Sequence, residues 1–122
     1  MAMELKKYLI TGSRGFVGSH LTSYIASQGG IEIIEFEGNL LEKESIRLLF
    51  GRYSITGVIH LAGAFEGDLD KQISLNFETT KNLLEIMYEF GVHKIVFASS
   101  GAVYGEPENE ISYETDICKP NT

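Results

Sequence analysis

The chain of 122 residues is 43% hydrophobic and 22% charged and carries 13 glycines. That composition suits one domain around one core and excludes a disordered or collagen-like polymer. Its 17 acidic and 10 basic residues give a net charge of −7, with no basic cluster larger than Lys6-Lys7, so nothing would neutralise a run of nucleic-acid phosphates. The single Cys118 leaves no internal disulfide and fits a reducing compartment. No apolar run approaches the ~20 residues of a membrane span, and Met1–Lys7 has no signal-peptide hydrophobic region. The expectation is a cytoplasmic protein with neither a nucleic-acid nor a membrane partner.

Two textures alternate along the chain. Lys6–Thr11 (KKYLIT) is a short apolar run stopped by Gly12 and predicts a buried strand. Phe16 to about Gln28 carries Phe16, Val17, Leu21, Tyr24 and Ile25 at helical spacings and ends at Gly29-Gly30. Ile31–Phe36 reads as a second strand, Leu40 to about Tyr53 as a second helix, and Gly57–Leu61 as a third strand. Asp68–Phe90 is the longest helical pattern, with Leu69, Ile73, Phe77, Thr80, Leu84 and Met87 forming a stripe expected to face the core. Lys94–Ser99 predicts a fourth strand, and beyond Gly105 the chain turns polar and irregular. The acidic residues there, Glu106, Glu108, Glu110, Glu114 and Asp116, read as a solvated loop.

Near-continuously apolar strands alternating with helices predict an α/β fold, a Rossmann-like parallel sheet with helices on both faces. Right-handed crossovers leave few arrangements, and the expected strand order is 2-1-3-4. The order reverses between the first and third strands, where ligands of such sheets bind.

At that reversal the first strand runs into Thr11-Gly12-Ser13-Arg14-Gly15-Phe16-Val17-Gly18-Ser19-His20-Leu21. Glycines at 12, 15 and 18 suit a sharp turn, a close approach to a pyrophosphate and a tight helix–sheet contact. The free N–H groups of the first helical turn would supply donors and a positive dipole end for phosphates. A P-loop is excluded, since no Gly-Lys-Ser or Gly-Lys-Thr follows. His20, His60 and His93 stand apart with no second ligand at metal spacing, so no metal site is expected.

TGSRGFVGSHL resembles the cofactor loop of the extended short-chain dehydrogenase/reductase family, the NAD-dependent nucleotide-sugar epimerases and dehydratases. Four further segments resemble that family's motifs in the same order. Gly38-Asn39-Leu40-Leu41-Glu42 is similar to G-D-L-x-D, and His60-Leu61-Ala62-Gly63 to H-x-A-A/G. Asn76–Leu84 is similar to N-V-x-G-T-x-N-L-L, and Ser99–Gly105 to S-S-x-x-V-Y-G. The resemblance implies a cofactor site of Gly12, Ser13, Arg14, Gly15, Phe16, Val17, Gly18, Asn39, Leu40, Leu61, Ala62, Gly63, Asn76 and Ser99. It also implies that Ser100 is a catalytic residue that hydrogen-bonds the substrate oxygen beside a tyrosine base and a lysine.

The implied chemistry is hydride transfer at a sugar carbon, as in an enzyme like UDP-glucose 4-epimerase or a keto-sugar reductase, on a nucleotide-sugar substrate. Gly101-Ala102 stand where the dehydratases carry Asp-Glu, which disfavours dehydration. Asn39 replaces the usual aspartate at the adenine. Glu35 and Glu37 both lie near the ~20 positions past the glycine loop expected of an acid on the ribose, which favours NAD. Arg14 resembles the arginine that meets a 2′-phosphate, so NADP stays open. The family's Y-x-x-x-K is absent: no lysine follows Tyr104 or Tyr113 at that spacing. The expectation is therefore a single NAD(P)-binding Rossmann-type domain over 1–122, truncated, without the substrate domain and inactive alone. Its uncovered apolar surface would favour self-association. The alternative is a non-catalytic dinucleotide-binding module.

Overall fold

The computed structural model describes residues 4–106 and 109–120, so Met1–Met3 and Glu108 lie outside the description. Four strands, β1 (Lys6–Thr11), β2 (Ile31–Glu35), β3 (Ile55–His60) and β4 (Ile95–Phe97), form one sheet in the order β2-β1-β3-β4. Every neighbouring pair is parallel, as near-continuous apolar runs require when both faces are to be covered. β1, at the centre, is fully buried over Leu9–Thr11. A register shift between Lys7 and Tyr8 marks where β1 first meets β3.

Helix α1 (Phe16–Gln28) joins β1 to β2, and α2 (Lys43–Arg52) joins β2 to β3. The connection from β3 to β4 is a continuous helical rod of three parts. A short α3 (Leu69–Gln72) opens it, a π-helical stretch (Ile73–Glu78) follows, and α4 (Thr79–Glu89) completes it. Asp68 caps the rod by accepting from Lys71 N at 2.9 Å. Right-handed crossovers put α1 on one face and α2 and α4 side by side on the other. There the core gathers Leu9, Ile34 and Val58 from the sheet with Ile46, Phe50, Leu83, Ile86 and Met87 from the helices. Arg47 on α2 grips both carboxylate oxygens of Glu89 on α4 at 2.9 Å, and Lys43 pairs with Glu85 alongside.

The expected α2 start at Leu40 is three residues early. Asn39 Oδ1 accepts from Leu41 N at 2.9 Å and Asn39 O from Glu42 N at 2.9 Å, a local turn that competes with helix and postpones it to Lys43. β2 stops at Glu35, one residue short of the expected end. β3 begins two residues earlier than expected, at Ile55, and ends at His60. β4 is shorter than expected, although its ladder bonds reach from Lys94 O to Ala98 N.

The apolar stripe of the long rod is a larger correction. Leu69, Ile73, Phe77 and Leu84 are 69%, 46%, 60% and 46% exposed, while the buried face of α4 is Thr79, Asn82, Leu83, Ile86 and Met87. The rod carries apolar residues on two adjoining faces, Leu83 beside Leu84 in α4, and the sheet takes the face through Leu83 and Ile86 rather than the one through Leu84. Ile86→Ala is therefore expected to cost about 2–5 kcal/mol in a urea unfolding titration, and Leu84→Ala under about 1 kcal/mol. Equal costs would restore the stripe as the packed face.

Candidate functional site

The C-terminal ends of β1, β2 and β3 open on one cleft. Its inner part, about 360 Å³, lies between Thr11, Gly12, Phe36, Asn39, Leu40, Ala62, Gly63, Ala64, Leu75 and Thr79. An outer part shares Gly12, Phe36 and Gly38 and adds Ser13, Arg14 and Glu37.

The turn from β1 into α1 makes the cleft floor. Gly12 holds φ at +71°, and a Cβ on it would stand 2.7 Å from Ala62 N. A Cβ on Gly18 would stand 2.0 Å from Gly12 O, so only hydrogen fits between the helix and the strand end. Gly15 N donates to Gly12 O at 3.1 Å and closes the turn. Gly15 is also the N-cap of α1, and no side chain caps that end. The first-turn N–H groups have no partner within the helix and carry its positive dipole end.

Of the expected cofactor residues, Gly12, Ser13, Arg14, Glu37, Asn39, Leu40, Ala62 and Gly63 come together on the cleft wall. Gly15 and Gly18 shape its floor from behind. Phe16 and Val17 are 83% and 59% exposed on α1 and are not on the wall, and Leu61 is half-buried beneath it, with its N–H on Thr11 O at 3.2 Å. The two candidate acids separate. Arg14 and Glu37 pair across the cleft mouth at 3.7 Å, both exposed. Glu35 does not line the cleft; it borders a hollow with Ser45, Leu48, Leu49 and Arg52, which Glu37 reaches from its other side.

Asn76 spends its whole amide on the cleft backbone: Oδ1 accepts from Ala64 N at 2.8 Å and Nδ2 donates to Ala64 O at 2.7 Å. Asn82, buried on α4, donates to the carbonyls of Leu40 and Leu41 at 3.0 and 3.3 Å and ties the turn after β2 to the rod. Ser99 and Ser100 follow β4, both exposed. Ser100 Oγ accepts from Ala102 N at 3.1 Å and caps the 3-10 turn Gly101–Tyr104.

Beneath the cleft His60 is fully buried between Thr11 and Thr80, with Phe97 stacked on its ring at 5.7 Å. Burial pushes its pKa below the ordinary histidine value. His60 opens the His60–Gly63 segment but is not among the residues expected at the site. A histidine at the end of an apolar strand, followed by small residues, was the available signal.

The sequence model of the NAD dependent epimerase/dehydratase family matches residues 8–122. This chain belongs to that family. It is 30% identical to UDP-glucose 4-epimerase of Neisseria meningitidis serogroup C, an alignment covering 93% of this chain and 42% of the relative. It is 31% identical to the Bacillus subtilis UDP-glucose 4-epimerase, covering 82% and 38%. A crystal structure of Thermus thermophilus UDP-glucose 4-epimerase in complex with NAD superposes with a TM-score of 0.84 at 30% identity. That match covers 93% of this chain and 44% of the other. The chain thus spans about two-fifths of the length of these relatives.

The Rossmann-like sheet order expected from sequence is that of the epimerase structures. Among the described residues, no helix is long and apolar enough to cross a membrane. The irregular segment after Gly105 exposes Glu106, Glu110, Glu114, Asp116 and Cys118, as a solvated loop would.

His60 also sets a pH dependence for this family member. Its folded pKa is depressed, so the unfolded chain binds more protons in acid. The stability of the neutral ring is complete above about pH 6.5 and is lost as pH falls through the lower folded value. Urea midpoints measured from pH 8 to 5 should fall, and a variant with His20 and His93, both exposed, replaced by glutamine should fall equally. A midpoint that stays flat in that variant would place the effect elsewhere.

Proposed function

We propose that the chain is the cofactor-binding portion of an NAD-dependent nucleotide-sugar epimerase, similar to UDP-glucose 4-epimerase, or of a keto-sugar reductase. The observation that carries this reading is the uncapped N-terminus of α1, set against a turn whose Gly12 admits no side chain, in a cleft that also holds Glu37 and Asn39. The pyrophosphate of the dinucleotide would sit on the N–H groups of the first helical turn, where dipole and donors act together. Asn39 Oδ1 holds Leu41 N, and its Nδ2, unbonded among the described residues, would donate to the adenine. Ala62 and Gly63, with no bulk beyond a methyl group, leave room beside β3 for the nicotinamide half. The nicotinamide supplies hydride chemistry when bound. The residues of this chain bind it, orient it and screen one side from water.

Glu37 accepts from the adenosine ribose in this reading, and the Arg14 guanidinium holds it at the mouth. A 2′-phosphate would face the Glu37 carboxylate, which favours NAD over NADP. Substrate hydroxyl recognition falls to Ser100, beside a tyrosine and a lysine that form no Y-x-x-x-K pair within these residues. The 122 residues by themselves therefore bind the cofactor without turnover. Gly101-Ala102 favour epimerisation or keto-reduction over dehydration. A reducing, cytoplasmic setting suits the single exposed cysteine. The exposed Leu69, Ile73, Phe77 and Tyr88, with Val96 and Phe97 on β4, favour self-association, which light scattering across concentration would read. A second reading, a dinucleotide-binding module without chemistry, draws on Ser100, whose Oγ is engaged in capping Ala102 N.

Calorimetric titration tests the cofactor assignment. The chain is expected to bind NAD more tightly than NADP, and Glu37→Gln to narrow that preference by about tenfold by removing a charged acceptor and freeing Arg14. No heat from either dinucleotide at millimolar concentration would overturn the site. An unchanged preference in Glu37→Gln would remove Glu37 from it.

A further inference from the structure

The hydrogen bonds beneath the cleft assign every proton in a buried chain of side chains. Thr80 Oγ1 donates to Asn76 O at 2.6 Å. A hydroxyl has one proton, so Thr80 can only accept from His60 Nε2, 2.9 Å away, and the ring proton is on Nε2. In the neutral ring Nδ1 is then an acceptor, and Thr11 Oγ1 donates to it at 2.6 Å. Thr11 Oγ1 in turn accepts from Ala62 N at 3.2 Å. The bonds run one way, from Ala62 N–H through Thr11, His60 and Thr80 to the Asn76 carbonyl.

The far end of the chain returns to the cleft. Asn76 clamps Ala64 by both its N–H and its C=O, so the path that starts at Ala62 closes two residues later. Asn76 lies in the π-helical stretch, where carbonyls are displaced from the ordinary ladder. Thr79 Oγ1 on Leu75 O at 2.7 Å and Thr80 Oγ1 on Asn76 O take up two of them. The groups that face the ring are Thr11 from β1, Thr80 from α4 and Phe97 from β4, none of them charged. Burial alone shifts the ring, and the neutral form is the one that satisfies both hydroxyls.

We propose that His60 is a positioning residue for the dinucleotide cleft: with its proton held on Nε2, it couples the end of β3 to the π-helical turn and keeps Asn76 on the Ala64 backbone. Loss of the Thr80 hydroxyl would release the ring from its tautomer and the π-helical carbonyl from its donor. The Asn76 clamp and the cleft wall at Ala62–Ala64 would loosen together. Only the affinity readout of this proposal rests on the dinucleotide reading above.

Three measurements on the full 122-residue chain decide it. Two-bond proton–nitrogen NMR spectra should show His60 as a single Nε2-protonated tautomer. Thr80→Val should mix the tautomers, speed hydrogen exchange at the Ala64 amide about three- to tenfold relative to the core amide of Val58, and weaken NAD binding by a similar factor. Thr80→Ser should restore all three. An Nδ1-protonated ring in the native chain overturns the proposal even if the variants fail to fold. So does a Thr80→Val chain whose Ala64 exchange keeps pace with Val58. If NAD fails to bind the native chain, the dinucleotide reading falls, while tautomer and exchange still judge the role of His60.

Discussion

A contact made only of backbone governs this fold. Where β1 turns into α1, the Gly12 carbonyl fills the space a Gly18 side chain would take, at 2.0 Å from the missing Cβ. On its other side Gly12 presses on the Ala62 amide at the end of β3. Three segments therefore meet more closely than side chains allow: the end of the central strand, the first turn of its helix and the end of the neighbouring strand. Any larger residue would push α1 off the sheet or β3 out of register. Because the three are tight, the end of α1 faces the cleft, and among the described residues no side chain caps its N–H groups.

That junction was legible in the sequence because its requirements are local and steric. A strand-like run stopped by glycine, with glycines at intervals of three, announces a turn that needs the absence of side chains. The parallel sheet was legible for a similar reason, since strands buried on both faces show as unbroken apolar runs. The packed face of the long helical rod was not legible. Apolar residues line two adjoining faces of the rod, with Leu83 next to Leu84, and periodicity alone does not choose between them. Counting at a fixed period placed Leu69, Ile73, Phe77 and Leu84 inward; of that stripe Met87 is buried, and the sheet otherwise selects Leu83 and Ile86. The late start of α2 has an explanation that sequence did hold, the side-chain turn of Asn39.

The two acids after β2 show where a spacing rule gives out. Glu35 and Glu37 are two residues apart and would share a face if the strand continued. The strand ends at Glu35, Phe36 N makes a last bond to Ile10 O, and Gly38 turns at φ +149°. Glu37 reaches the glycine turn as well as the hollow beside α2, while Glu35 borders that hollow and not the cleft. Distance in sequence could not separate them, because the separation arises from where the ladder stops. Asn76 and Asn82 were visible as motif residues, yet their tasks, holding Ala64 and the carbonyls of Leu40 and Leu41, depend on how the rod lies against the strand ends.

Charge on the molecule as a whole is a poor guide to this cleft. A net charge of −7 opposes an anionic ligand at long range, but charges farther apart than the Debye length of about 8 Å are largely screened in physiological salt. Part of the acidity is also engaged elsewhere: Glu44, Glu85 and Glu89 pair with Lys43 and Arg47 along the α2–α4 seam. At the cleft the balance is different. The floor offers backbone donors at a helix N-terminus, the layer beneath it is the neutral Thr11–His60–Thr80 chain, and the one acid at the mouth is paired with Arg14. A neutral His60 matters in this setting for geometry, since a second ring proton would leave the Thr11 hydroxyl with a donor facing a donor. The buried ring therefore trades electrostatic attraction for a fixed wall. In the proposed reading the task of binding phosphate is left to the helix end, where the N–H groups are already in place.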